Sequence, residues 1–305
     1  MKLFKTIFTS IDKILLIFSL LVMALSLFLV YSLWQDYSRK DSIATLDTML
    51  LFSKNMLDEE QQHALSLSLL LSQDKELITA YLGDNRKRVD TIIHKKIASL
   101  ARLQGYRFDV QVHDKNLQSY LRSWDYRAKG EPLASFREGL VLVKESLKPL
   151  VSIEVGKRLN IKAISPIIKN SAFYGSIEVI EGFGHLRKRL AEQGYRLYIL
   201  LHKKFLPIAK TLLHASKVGK EYLLVGSVED IQSFDALKSS NLGNLGSFGY
   251  FTHLGHLFGY FDLRNYDNER LGYLFITPTK RVKFRQSVRN ESIRVDSNQS
   301  GVIIR

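Results

Sequence analysis

The sequence predicts an α+β protein with a single N-terminal transmembrane helix, a long stalk helix and two stacked modules with antiparallel sheets. Three observations lead there. Residues 14–34 form an unbroken apolar run, and residues 36–82 keep a helical period with no proline. From residue 107 the pattern changes to short alternating runs separated by turn residues, and a unit of helix plus strands recurs.

Ile14 to Trp34 holds 21 residues and no charge. About 20 helical residues cross the hydrocarbon core of a bilayer. Tyr31 and Trp34 fall where an aromatic belt meets the far interface. The apolar core is long and ends in bulky residues instead of a small-residue cleavage site, so it reads as an uncleaved signal anchor. Lys2, Lys5 and Lys13 favour an inside N-terminus, softened by Arg39 and Lys40 on the other flank. The expected placement is a single pass through a bacterial inner membrane, with residues 1–13 cytoplasmic and the main domain periplasmic.

Beyond the membrane, Ile43, Leu46, Leu50, Leu57 and Ala64 share one helical face. Two readings stay open: a helix that buries this face in the domain, and a stalk that also pairs with a second copy. Asp84 is the expected N-cap of a second helix, Arg86 to about Gln104, closed by Gly105. Arg107–His113 alternates as a strand. Leu133–Leu147 reads as a helix with Phe136, Leu140, Val143 and Leu147 on one face, stopped by Pro149. Strands are expected at Leu150–Val155, Leu159–Ile168 and Tyr174–Ile180. A second set follows: strand Arg196–Leu201, helix Phe205–His214, then strands Tyr222–Val225, Phe248–Phe251, Leu257–Leu263 and Leu271–Ile276. The domain expectation is therefore a transmembrane helix over 14–34, helices over 35–104, a membrane-distal module over 105–193 and a membrane-proximal module over 194–278. A basic disordered tail is expected over 279–305.

The absence of cysteine excludes disulfides, thiolate catalysis and cysteine-held metals. The net charge of +14 raises the question of nucleic acid. Seven cations against two anions lie between Thr279 and Arg305, and no recognition-helix, zinc-finger or RNP-like pattern accompanies them, so no nucleic acid is expected. No serine nucleophile elbow or HExxH motif occurs, so an enzyme is not expected. The acids Asp58, Glu59 and Glu60 read as a solvated face of the stalk. His253 and His256 are three apart in a strand–turn region with no third ligand nearby, so no metal is expected. No cofactor is expected.

Five short elements then carry a resemblance. They are Ser119-Tyr120-Leu121-Arg122-Ser123-Trp124, Leu133-Ala134-Ser135-Phe136-Arg137, Ile153-Glu154-Val155-Gly156, Ile161 to Pro166, and Tyr174-Gly175-Ser176-Ile177-Glu178. In this order and spacing they resemble the double Cache sensory domains of bacterial chemoreceptors and sensor histidine kinases, in particular the dCache_3 branch. Weaker similarity runs from about residue 40 to Ile276. The resemblance implies two PAS-like (Cache) modules behind a long helix. The distal module would hold a small ligand and the proximal one would pass strain onward. Two departures stand out. Lys129-Gly130-Glu131-Pro132 replaces the family's Gly-Asp-Asp, and Lys162-Ala163 stands where Arg-Gly is usual, which loses a bidentate fork. Family members also continue into a second membrane helix and an output module. The basic tail gives the expectation of a chain without its own output module: a truncated receptor, a remnant or scaffold, or a subunit beside a full-length receptor.

The candidate ligand-binding residues are Arg122, Trp124, Tyr126, Arg137, His113 and Glu154. Arg122 and Trp124 lie in a stretch read as irregular. They offer a planar fork for a carboxylate and an aromatic wall or cation–π face, suited to an organic acid or an amine. Tyr126 adds a hydroxyl. Arg137 either faces the pocket or pairs with Glu154 or Glu178, and the ion pair is the preferred role. His113 closes the first strand, where a hydrogen-bonded strand end competes with a ligand role. The expected partners are an unidentified small molecule, the membrane, and a second copy through the stalk helix or a full-length receptor.

Overall fold

The computed structural model describes residues 2–243 and 245–279, with side chains placed over 15–34, 47–243 and 245–279. The expectations for residues 280–305, and for the side chains of Ile43 and Leu46, fall outside this range.

Helix α1 runs Lys2–Ser72. Within it, Leu15–Trp34 is long and apolar enough to cross a membrane, and its side chains are exposed. Higher on the helix, Leu50, Leu57, Ala64, Leu67 and Leu71 are buried, which continues the expected stripe at spacings of three, four and seven. Glu60 and Ser68 lie in that buried stripe too. Glu60 therefore departs from the solvated reading, because its position in the period turns it inward.

The helix expected to reach residue 82 breaks after Ser72. Asp74 caps a new helix, α2 (Lys75–Leu82), by accepting from the Leu77 amide at 2.9 Å, and it pairs with Lys96 of the next helix. That helix, α3, spans Arg86–Gln104 and ends at left-handed Gly105 as expected. Its N-cap is Asn85 and not Asp84. The Asn85 side chain accepts from the Arg88 amide, while Asp84 takes a left-handed turn conformation.

The first sheet contains β1 (Asp109–Asp114), β2 (Ser119–Arg122), β3 (Leu150–Val155), β4 (Leu159–Lys169) and β5 (Ala172–Glu181), in the order β2-β1-β5-β4-β3 and antiparallel throughout. Arg122 thus ends a strand and does not lie in an irregular stretch. Helix α4 (Glu138–Ser146) bridges β2 to β3 and starts five residues later than expected. The reason is a competing extended pairing. Ser119 donates to the Glu131 carbonyl and Leu133 to the Leu117 carbonyl, so this segment is held as an edge before any helix begins. Phe136 is consequently exposed, while Leu133, Leu140 and Val143 pack on Ile164.

Helix α5 (Gly184–Glu192) leads into the second sheet. That sheet holds β6 (Tyr195–His202), β7 (Lys217–Val218), β8 (Tyr222–Val225), β9 (Phe248–His253), β10 (His256–Arg264) and β11 (Arg270–Pro278), ordered β7-β8-β6-β11-β10-β9. Helix α6 (Ile231–Ser239) packs Phe234 and Leu237 onto Tyr198, Phe258, Tyr260, Tyr273 and Phe275. The helix expected over Phe205–His214 is replaced by two 3-10 turns, Lys203–Phe205 and Lys210–Leu212. Pro207 has no amide to continue an α-helical ladder there. His253 and His256 are paired residues across the Leu254-Gly255 turn, so the argument from opposite strand faces does not apply to them. Among the described residues, no group of three His, Cys, Asp or Glu side chains is placed to hold a metal.

Gly272 lies in β11 beside β6. A Cβ there would sit 1.9 Å from the Leu200 carbonyl oxygen, a backbone atom of the neighbouring strand. Overpacking against backbone costs about 1–3 kcal/mol or more. Gly272→Ala is expected to lower the melting temperature of the full-length protein by roughly 5 °C or more, given about 2–4 °C per kcal/mol for a chain of this size. A differential scanning fluorimetry comparison with wild type checks this.

Candidate ligand-binding site

The first sheet has two unlike faces. Side chains alternate along each strand, and the register aligns them across strands. Val110, Val112, Ile161, Ala163, Ile177 and Val179 are buried on one side. On this side Ser165 of β4 shares a 2.7 Å hydrogen bond with Ser68 of α1, so it is the face under the long helix. The other side carries Gln111 and His113 of β1, Arg122 of β2, Ser176 and Glu178 of β5, Lys162 of β4, and Ser152 and Glu154 of β3. Helix α4 and the segment before it cover this polar face.

Glu178 lies at the centre with 0% exposure. Arg137, the N-cap residue of α4, donates to Glu178 and lies 3.3 Å from Glu154 through Nε. Lys162 Nζ is 3.7 Å from Glu154, and Ser152 donates to the same carboxylate at 2.9 Å. His113 contacts Ser176 through Nδ1 at 3.0 Å and approaches Glu178 through Nε2 at 3.4 Å. Gly139, in the first turn of α4, makes room for this arrangement. A Cβ there would meet Glu154 Oε1 at 2.7 Å.

Burial by itself would raise the Glu178 carboxyl, but Arg137, His113 and Lys162 outweigh it and hold the group far below the usual carboxylate range. Burial lowers His113 despite the neighbouring carboxylate, so the imidazole is favoured in its neutral form. Burial, then Arg137, also lowers Lys162. The Arg137 guanidinium resists the same burial because Glu178 and Glu154 flank it, and its pKa rises.

The structure brings His113, Arg137 and Glu154 into one network and places Arg122 on the same sheet face, at its edge. Arg122 pairs with Glu131, whose side chain is half exposed. Buried Arg122 Nε and Gln111 Nε2 have no hydrogen-bond partner among the described residues. Trp124 and Tyr126 stand apart from the network at 49% and 45% exposure. Trp124 lies 6.0 Å from the Arg122 guanidinium. Tyr126 stacks under Arg86 of α3 at 4.2 Å, which ties it to the helix and away from the polar face.

Glu178 and Gln111 were not among the candidates, and Lys162 entered only as a family departure. The signal for them is parity. Polar residues at alternate positions of otherwise apolar strands, Gln111 and His113, then Ser176 and Glu178, mark a buried polar face.

A family model for the double sensory domain of two-component sensor kinases, dCache_3, matches residues 39–277. The chain belongs to this family. Among solved structures, the extracellular domain of the putative histidine kinase vpHK1S-Z8 matches with a TM-score of 0.50 at 16% identity, covering 80% of this chain and 97% of that one. A domain of a putative sensory box/GGDEF family protein from Vibrio parahaemolyticus matches at a TM-score of 0.47 and 17% identity, with the same coverage. The ligand-binding domain of the Campylobacter jejuni chemoreceptor Tlp3, solved with L-valine, matches at 0.43 and 11% identity, over 80% of this chain and 94% of that one. A search of curated proteins gives no match.

Arg137→Ala leaves two buried carboxylates without their shared cation, a loss of about 3–5 kcal/mol by the usual cost of breaking a buried pair. Trp124→Ala, at the exposed rim, is expected to stay within about 1 kcal/mol of wild type. Denaturant unfolding of the two full-length variants checks the contrast.

Proposed function

We propose that this chain is a membrane-anchored, extracytoplasmic sensor that binds a small carboxylate-bearing molecule on the polar face of its first sheet. The helix Leu15–Trp34 serves as the anchor, with the N-terminus in the cytoplasm of a bacterium and both sheets outside. Family membership supports sensing over catalysis. The observation that carries the ligand class is a pair of buried donors without a hydrogen-bond partner among the described residues, Arg122 Nε and Gln111 Nε2, the first belonging to the guanidinium that half-exposed Glu131 holds. Free donors call for an acceptor, and Glu131, the half-exposed partner of this pair, can return to water when it is displaced. The ligand's carboxylate takes the place of Glu131 on Arg122, with Trp124 as the adjoining wall and Arg137, His113 and Glu154 as the floor.

This exchange has a mechanical consequence. Glu131 sits in the extended segment paired with residues 117–119 and leads into α4. The first residue of α4, Glu138, accepts a 2.7 Å hydrogen bond from Tyr266 in the turn between β10 and β11. Release of Glu131 therefore acts on α4 and, through Tyr266, on the second sheet. A ligand drives such a shift only by binding the two arrangements unequally.

The test uses full-length protein in lipid nanodiscs, with melting temperature followed against a panel of amino acids and mono- and dicarboxylates. A ligand at a hundredfold excess over its Kd adds about 2.7 kcal/mol. Arg122→Ala is expected to abolish the shift. Glu131→Ala is expected to strengthen binding several-fold, because it removes the competitor for Arg122. If no carboxylate shifts the folded protein, or Glu131→Ala weakens binding as Arg122→Ala does, the reading fails.

A further inference from the structure

On the opposite side of the first sheet lies a second ionisable cluster, joining α1 to the point where β5 passes into α5. His63 of α1 sits at its centre. Its Nδ1 faces Glu181 Oε1 at 3.2 Å and the Tyr106 hydroxyl at 2.9 Å, and its Nε2 faces the Gln104 amide at 2.7 Å. Tyr106 stacks on His185 of α5 with ring centroids 4.1 Å apart. His185 Nδ1 lies 2.8 Å from Glu60 Oε1 of α1. Arg189 of α5 donates to Glu60 at 3.2 Å and to Glu59 at 2.7 Å. The groups around His63 are thus Glu59 and Glu60 from α1, Gln104 and Tyr106 from α3 and the segment after it, Glu181 from β5, and His185 and Arg189 from α5.

The two buried carboxylates are served differently. Glu60, 4% exposed, has a permanent cation in Arg189. Glu181, 1% exposed, has only His63 within ion-pair distance among the described residues, and its second oxygen has no hydrogen-bond partner. A buried carboxylate without a cation is costly, so the charge of this pair depends on the protonation of one imidazole.

We propose that His63 and Glu181 form a proton-responsive clasp between α1 and β5, giving this sensor a second input, the pH of its surroundings. Taking up one proton from water turns the neutral ring into an imidazolium that holds Glu181 as an ion pair. Gln104 fits both states. With a neutral ring that donates from Nδ1, the Gln104 amide donates to Nε2. With the imidazolium, the amide turns by half a rotation and Oε1 accepts from Nε2. That oxygen is buried with no hydrogen-bond partner in the first arrangement and gains one in the second. The hydrogen bond and charge of Glu181 raise the His63 pKa against the effect of burial. A raised histidine gives stability that is fully present below its ordinary pKa of 6.5 and is lost as pH climbs through the folded-state value. The clasp therefore closes toward acid and loosens toward alkali. This inference is independent of the ligand assigned above, since it concerns the other face of the sheet.

The experiment compares full-length wild type with His63→Gln in nanodiscs from pH 5.5 to 9, recording melting temperature and amide hydrogen exchange over residues 59–66 corrected for intrinsic rate. The difference between the two proteins removes the contribution of His113. Wild type is expected to melt a few degrees above the variant at the acid end, with the gap closing as pH rises. Protection of residues 59–66 is expected to fall over the same range in wild type only. Should His63→Gln not fold, Glu181→Gln is measured in the same way and is expected to lose the pH step. A gap that stays constant with pH, or a Glu181→Gln profile that matches wild type, overturns the proposal.

Discussion

Glu178 is the constraint around which the first sheet is organised. It sits in the central strand with no access to water, and an ionised carboxylate in such a place is tolerable only with close, well-aligned partners. Arg137 is the partner that decides the matter, and it can arrive only from the helix end above the sheet. The residues around it follow from that demand. The extended segment before α4 sets where the helix begins. Gly139 leaves the space that Glu154 occupies, and Glu154 gives the second half of the guanidinium its counter-charge. His113 and Ser176 complete the surroundings of a charge that no solvent reaches. A face built this way keeps only a small apolar cluster, Leu133, Leu140 and Val143 on Ile164, and the aliphatic residues Val110, Val112, Ile161, Ala163, Ile177 and Val179 are buried on the side under α1.

This division explains what was legible in the sequence and what was not. The strands were readable because β-branched and aliphatic residues recur on the helix-facing parity, and the turns between them carry Gly, Asn and Lys. The apolar stretch Leu15–Trp34 is readable because length and lack of charge suffice to show a helix able to cross a membrane. For Arg137 the sequence prefers an ion pair with Glu154 or Glu178 over a pocket role, and the structure gives it both pairs. The short helices α5 and α6 were missed, since α5 buries only Leu186 and Leu190, too few to set a period. The signal for α6 lay in Asp230, an N-cap that accepts from the Gln232 amide, ahead of Phe234 and Leu237. The helix start expected at Leu133 is displaced because extended pairing takes the Glu131 carbonyl and the Leu133 amide first. Glu60 was misread for a simpler reason. An acidic triplet looks solvated unless the helical period is followed through it, and that period buries its third member.

Tyr126 shows the limit of arguing from proximity in sequence. It follows Arg122 and Trp124 closely, yet Arg86 draws it toward the start of α3 by donating to the Tyr126 carbonyl and covering its ring. The loop between β2 and α4 thus divides its duties. One end is fixed to the helical layer, and the other, through Glu131, to the sheet edge.

The two ionisable clusters are joined by a single strand. Glu178 and Glu181 are three residues apart in β5, so they point to opposite faces. Each is held by a group from a different layer: Glu178 by Arg137 of the covering helix, Glu181 by His63 of α1. Any displacement of β5 is felt by both pairs at once. Linkage then follows from thermodynamics alone: whatever free energy a ligand on the polar face exerts on the His63 proton, that proton exerts on the ligand in equal measure. On the proposed readings, a strand carrying one buried carboxylate to each face lets a ligand and a proton act on the same element. β5 also leads through α5 into β6 of the second sheet.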